Sequence, residues 1–241
     1  MKYAILSDIH GNLEALRSVL AEIRRYKVEK YICLGDIVGY GANPNECLEV
    51  LHSLKPAAVL GNHDAAVCGI TELDNFNPLA YEAIIWTRQE LKPSGFEYLA
   101  ALPLIQSLGE ITIFHSNLTS PSYWRYILKP QETYSSFEKL PGWLGFFGHS
   151  HRPAVFHKNG GGIDLVRETE LSLSREDQYL VNIGSVGQPR DRDPRASFAV
   201  FDDESGKLEI IRVDYPIRKA QKKIRAAGLP ERLAARLEEG K

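Results

Sequence analysis

The chain has 241 residues, a formal net charge of −2, 44% hydrophobic and 25% charged residues, the balance of an ordinary soluble globular protein with one well-buried core. No composition break divides residues 1–241 into two domains, and the near-neutral charge excludes a general polyanion binder and gives no strong nucleic-acid signal, so an anionic ligand must be drawn by a local field. Cys33, Cys47 and Cys68 suggest no disulfide framework and no zinc knuckle, and the apolar start Tyr3–Leu6 is too short for a signal peptide; with no stretch approaching a membrane span, the chain reads as cytoplasmic.

Lys2–Leu6 predicts a short apolar strand that ends abruptly at Ser7-Asp8. Asn12 then caps a helix carrying Leu13, Leu16, Val19, Leu20 and Ile23 at helical spacing. Lys30–Leu34 is a second strand, ending in Gly35-Asp36. Asn43-Pro44-Asn45-Glu46 resembles a capping box with Pro at the first helical position, followed by Leu48 and Leu51. Ala57–Leu60 is a third strand, stopping at Gly61-Asn62-His63-Asp64. This repeated strand, polar loop, helix order predicts an α/β architecture with polar groups at the carboxyl ends of strands.

Residues 65–103 read as a helical insertion, with Tyr81, Ile84, Ile85, Arg88 and Leu91 on one face and a second capping box at Ser94 and Glu97. Strands then dominate. Ile111–Phe114 leads into His115, and Trp143–Phe147 into Gly148-His149-Ser150-His151. Ala154–His157 and Gly160–Val166 predict a hairpin, followed by strands at Tyr179–Ile183, Ser197–Phe201 and Leu208–Val213. The tail, residues 217–241, is a helix to Ala227, a stop at Gly228 and a shorter helix after Pro230. Its Lys222-Lys223-Arg225 cluster reads as a solvated face.

Five segments end apolar runs with metal-capable side chains: Asp8-Ile9-His10, Gly35-Asp36, Gly61-Asn62-His63-Asp64, His115 and Gly148-His149-Ser150-His151. Extended backbone puts residues i and i+2 on one side, so Asp8 with His10, and His149 with His151, can each converge on one point. Each segment alone has an ordinary explanation as a turn, a helix cap or a core histidine. Their ordered combination, every member at a strand end, points to a metal site. Carboxylate, imidazole and amide donors without thiolate suit Mn, Fe(II) or Zn, with Mg also open. Two such ions about 3.5–4 Å apart can clamp both oxygens of an in-line displacement. Asp8 and Asp36 do not cancel two divalent charges, which favours an anionic phosphoryl substrate.

In these five blocks the sequence, from residue 1 to about 213, resembles the calcineurin-like metallophosphoesterase superfamily. The resemblance implies a four-layer αββα sandwich, two mixed β-sheets flanked by helices. It also implies hydrolysis of a small phosphoric ester, nucleotide-like substrates among the candidates, by in-line attack of a metal-bridging hydroxide. Carried over by motif, Asp8, His10 and His151 hold one divalent ion, Asn62, His115 and His149 the other, and Asp36 bridges. His63 touches the substrate phosphate and protonates the leaving oxygen, and Asp64 orients His63.

The departures narrow the class. Protein Ser/Thr phosphatases and symmetrical diadenosine tetraphosphatases of the superfamily carry Gly-Asp-x-x-Asp-Arg-Gly, whose Arg grips phosphate. Here Gly39 and Tyr40 stand in those places, and Asn62-His63-Asp64 replaces Asn-His-Glu; a Tyr does not replace a bidentate Arg. Gly184-Ser185-Val186-Gly187-Gln188-Pro189-Arg190-Asp191 looks like a small prokaryotic phosphodiesterase-like branch, although Ile183 departs from its Asn-Pro-Gly-Ser. With few extra phosphate-gripping cations, a diester is favoured over a monoester. Arg190 and Arg192 either touch substrate or belong to a salt-bridged loop. Tyr123, Trp124, Arg125 and Tyr126 are read as packing before base stacking, and His52 and His157 as structural or exposed. Two rivals are a non-catalytic scaffold, which would be free to lose ligands, and a β-lactamase-type zinc hydrolase, whose His-x-His-x-Asp-His is absent.

Overall fold

Burial on both faces decides the layering. In β1 (Lys2–Leu6), Ala4 and Leu6 point into one apolar cluster and Tyr3 and Ile5 into another, the two-residue alternation of a strand covered on both sides. The computed structural model describes residues 1–241. After β1 come α1 (Leu13–Ile23), β2 (Lys30–Cys33), α2 (Pro44–Leu54) and β3 (Ala57–Ala58). The helical stretch follows as α3 (Asn62–Val67), α4 (Pro78–Glu90) and α5 (Pro93–Ala100). Next are β4 (Ile105–Leu108), β5 (Ile111–Phe114), α6 (Tyr134–Lys139), β6 (Leu144–Phe147), β7 (Ala154–Asn159) and β8 (Gly162–Val166). The chain closes with β9 (Glu170–Ser172), β10 (Gln178–Asn182), β11 (Ala196–Asp202), β12 (Lys207–Val213), α7 (Ile217–Ala226) and α8 (Glu231–Glu239).

Two mixed six-stranded sheets result, ordered β3-β2-β1-β11-β12-β9 and β4-β5-β6-β10-β7-β8. Between them lies an apolar core that includes Ile5, Ile32, Ile113, Phe146, Val181 and Phe201. Outside the first sheet, Leu16, Val19, Leu51, Ile224 and Leu233 from the helices cover Ala4, Leu6 and Phe198. Outside the second, Phe137 of α6 joins Phe114, Phe147, Phe156 and Leu180. This is the expected four-layer αββα sandwich, with a much thinner helical layer on the second sheet. No helix is long and apolar enough to cross a membrane.

Each sheet contains a parallel triplet: β1, β2 and β3 in the first, β5, β6 and β10 in the second. The carboxyl ends of parallel strands collect loops on one side, which is where open α/β sheets place their sites.

Local chemistry differs from expectation at several ends. Asn12 caps α1 as expected, its Oδ1 accepting from Ala15 N at 3.1 Å. Asn43 does not cap α2: its amide donates to Glu46 Oε1 at 2.7 Å and its oxygen accepts from Lys223 Nζ at 2.8 Å. Pro44 starts that helix alone, having no N–H to satisfy. Ser94 lies inside α5, which begins at Pro93, so it caps nothing. The third strand stops early because Leu60 N turns to Pro103 O at 2.8 Å.

Candidate metal centre

Asp8 and His10 follow β1, Asp36 follows β2, Asn62 and His63 follow β3, His115 follows β5, and His149 and His151 follow β6. The two parallel triplets thus deliver all seven expected ligands and His63 to one place. Asp8, His10, Asp36 and His151 each bring a ligand atom within 4.8 Å of the others, and Asp36, His115 and His149 do the same. Asn62 Oδ1 lies 3.1 Å from His115 Nε2, which joins it to the second set. Asp36 belongs to both sets.

The backbone is bent to achieve this. Asp8, His10, Asp36, His149 and His151 all have φ between 49° and 67°, the left-handed region that costs an L-residue roughly 1–2 kcal/mol. Such conformations persist only where the surroundings over-determine them, and they concentrate at functional sites.

Hydrogen bonds fix which nitrogen faces inward. A carbonyl can only accept, so Nδ1 is the protonated nitrogen of His10 (to Val38 O, 3.1 Å), His115 (to Leu34 O, 2.7 Å) and His151 (to Gln188 O, 2.6 Å). In the neutral rings of His10 and His151, Nε2 is then a bare lone pair. The two lone pairs face each other at 3.1 Å, an arrangement that suits a cation between them. His149 is turned the other way: Nε2 donates to Trp124 O at 2.7 Å, leaving Nδ1 for the centre. Tyr126 stacks on this ring at 4.2 Å. The donor set therefore fits divalent ions. The carbonyls of Leu34, Val38, Trp124 and Gln188 had no signal in the sequence, because any residue supplies a carbonyl.

Burial governs the charges. His10 and His151 are held well below the usual imidazole range, and His149 falls to about 3, each by desolvation first. Asp8 is pushed up to about 7 by burial and by Asp36. Burial also acts to raise Asp36, but His115, 3.4 Å away, wins and holds it well below the carboxylate range. His115 is correspondingly raised to about 9 against its own burial.

A second loop straps the first. Val186 N and Gly187 N donate to Ser7 O and Asp8 O at 2.9 Å each, and Ser185 Oγ donates to Asp8 O at 2.8 Å. A Cβ on Gly187 would fall 1.8 Å from Ile9 O, so only glycine lets the strap close. Asn182, fully buried, donates to Gly148 O and, at 3.0 Å, to Ser150 Oγ, bracing the loop that carries His149 and His151.

The expected role of Asp64 is not met. Its carboxylate accepts from Ile37 N at 2.9 Å, Val38 N at 3.1 Å and Gly61 N at 3.2 Å, while His63 Nδ1 is buried without a partner. Consecutive residues on a helix point about 100° apart, so Asp64 ties α3 to the loop after β2 instead. His63 is positioned by packing, with Tyr40, His10 and Phe76 rings at 4.4, 4.8 and 5.3 Å. His157 pairs with Asp177 at 2.8 Å and stacks on Tyr179, and His52 lies near Tyr98, both away from the centre. Arg192 turns its backbone N–H to Gly240 O, whereas Arg190 reaches Tyr40 at the edge of the centre.

Comparison with known proteins agrees with this geometry. The chain is 45% identical over 238 residues to an uncharacterized protein of Methanocaldococcus jannaschii, covering 97% of this chain and 96% of that one. A metallophosphoesterase from Sphaerobacter thermophilus, 37% identical, superposes with a TM-score of 0.90 over 100% of this chain and 99% of its own. A 105-residue stretch is 33% identical to the symmetrical bis(5'-nucleosyl)-tetraphosphatase of Serratia proteamaculans, 37% of each chain. The profile of the calcineurin-like phosphoesterase superfamily domain matches residues 1–206, and the chain belongs to that superfamily.

Proposed function

We propose that the protein hydrolyses phosphoric esters using two divalent ions, one held by Asp8, His10 and His151, the other by Asn62, His115 and His149, with Asp36 shared. The observation that carries this reading is the pair of ligand sets meeting at Asp36. Ions of Mn, Fe(II), Zn or Mg bound there would polarise the phosphoryl oxygens and bring the pKa of water near neutrality.

The chain's own residues supply the rest. His63 stands beside His10, and in this reading it protonates the leaving oxygen. Burial holds its pKa down at about 4, and an arriving phosphate anion would raise it toward the value an acid needs. In this reading the Asn62 amide and Arg190 contact the same phosphoryl group. The leaving group would occupy an open cleft of about 280 Å³ lined by Phe76, Tyr123, Trp124 and Tyr126. Those rings suit an aryl or nucleoside group, which keeps a dinucleoside polyphosphate as the second reading.

The test compares wild type with His63→Ala for metal content and for hydrolysis of p-nitrophenyl phosphate and bis-p-nitrophenyl phosphate with Mn, Fe(II), Zn and Mg. Wild-type turnover that is lost in a variant retaining its metal supports the reading. Wild-type protein that binds no metal, or binds it and cleaves neither ester, overturns it.

A further inference from the structure

Tyr40 stands where other branches of the superfamily place a phosphate-gripping arginine, yet two arginines from elsewhere converge on it. Arg190, from the loop after β10, has its Cζ 5.7 Å from the Tyr40 ring centroid, and Arg236, from α8, has its Cζ at 5.8 Å. Tyr40 itself packs on His63 and His10. Neither guanidinium pairs with a side-chain carboxylate, whereas Arg175, Arg195, Arg212, Arg225 and Arg232 all do. Arg190 has only Gln188 Oε1 at 3.0 Å and Tyr40 Oη at 3.4 Å, and its Nε is buried with no partner. Arg236 Nε donates to the main-chain oxygen of the last residue, Lys241.

Two neighbouring, half-buried guanidinium groups with no side-chain anion between them are costly. Burial and Arg190 together depress the Arg236 pKa, and both arginines act on His63. The arrangement is nonetheless held firmly. Arg192 N donates to Gly240 O at 2.8 Å, and Gly240 packs its backbone against Asp193, so α8 is fastened to the Arg190 loop. Arg236 lies beyond residue 206, outside the part that matches the family profile.

We propose that Arg190 and Arg236 form a cationic subsite, built jointly by the β10 loop and the C-terminal helix, that grips the oxygens of the substrate's terminal phosphate. The subsite rests on the phosphoesterase reading and refines it. A terminal phosphoryl group carries up to two negative charges and a diester one, so the subsite favours monoesters. It removes the ground on which the sequence favoured a diester, a shortage of cations beyond the metals.

The experiment measures binding of inorganic phosphate to Mn-reconstituted protein by calorimetry, together with kcat and KM for p-nitrophenyl phosphate and bis-p-nitrophenyl phosphate. Wild type, Arg236→Gln, Arg236→Lys and Arg190→Met are compared, with metal content and Tm as controls. Arg236→Gln is expected to weaken phosphate binding roughly tenfold or more, the loss of a charge-assisted hydrogen bond. It should lower kcat/KM for the monoester more than for the diester, mainly through KM, and Arg236→Lys should recover part of both. Arg190→Met, anchored in a different segment, gives the same pattern if Arg236→Gln proves unstable. Unchanged phosphate affinity and an unchanged monoester-to-diester ratio in a folded variant would overturn the subsite. Phosphate binding is read without turnover, so an inactive wild type would end the phosphoesterase reading and leave this test standing.

Discussion

The imidazole of His63 occupies the space that a side chain at Gly39 would need: a Cβ there would fall 2.6 Å from His63 Nδ1. Gly39 also has a φ of 90°, a conformation closed to other residues at low cost. Gly39 is therefore what leaves room for the His63 ring as it is oriented here. Gly39→Ala should displace the ring and lower kcat on a phosphoester toward that of His63→Ala, roughly 10²–10⁴-fold. Bound metal should be unchanged in the same preparations. Full activity in Gly39→Ala would show that His63 does not act from this position.

Asp64 has a different signature. Its carboxylate serves three backbone N–H groups, so Asp64→Ala should cost stability, about 1–3 kcal/mol for each buried donor left unsatisfied. Asp64→Asn should cost less, since its amide oxygen still accepts. Thermal unfolding of the metal-bound protein measures this. A shifted pH–rate profile with an unchanged Tm would instead restore the role of orienting His63.

The shared carboxylate predicts an asymmetry in metal content. Asp36→Asn should empty both sets, whereas His115→Ala should disturb one and leave Asp8, His10 and His151 able to hold an ion. Elemental analysis would read about two ions in wild type, near none in the first variant and about one in the second. Restoring metal to stripped wild type should raise Tm, with a gain of about 2.7 kcal/mol at a hundredfold excess over Kd. Equal loss in both variants would remove Asp36 from its shared position.

Stripped protein should also be acid-labile. His63 and His149 are lowered to about 4 and about 3, and His10 and His151 well below the ordinary 6.5. Between about pH 6.5 and 4 the unfolded chain takes up protons that these folded rings refuse, so stability falls as pH falls. Asp8 and Asp64, raised to about 7, oppose this, because the folded chain holds their protons in the same window, and His115, raised to about 9, opposes it at the upper edge. The four histidines outnumber them. Tm of the stripped protein, followed from pH 7 to pH 4, should therefore decline, and a flat or rising curve would show that these rings are not buried as described.

The ligands were legible because their side chains are chemically distinctive and end apolar strands, and the family resemblance sorted them into two sets. What steers them was not. The carbonyls of Leu34, Val38, Trp124 and Gln188 orient the imidazoles, and a carbonyl leaves no mark in sequence. Asp64 was misassigned because adjacency in the chain is not adjacency on a helix. Arg236 passed as one more basic residue in an amphipathic tail, since its distance from Tyr40 depends on how α8 packs. Strands β4 and β9 were missed because both are short and partly exposed, so their apolar pattern is weak.

The metal centre straddles two sheets that share no hydrogen-bonded strand. Asp8, His10, Asp36 and Asn62 belong to one sheet, and His115, His149 and His151 to the other. Each ligand set therefore spans the gap, and the distance between its donors is set by how the two sheets lie against each other. Ile5, Phe146 and Phe201, packed deep between them, act as the spacer of a two-jawed clamp. Any slippage of that apolar layer would change the spacing of both proposed ligand sets at once, without touching a side chain of either.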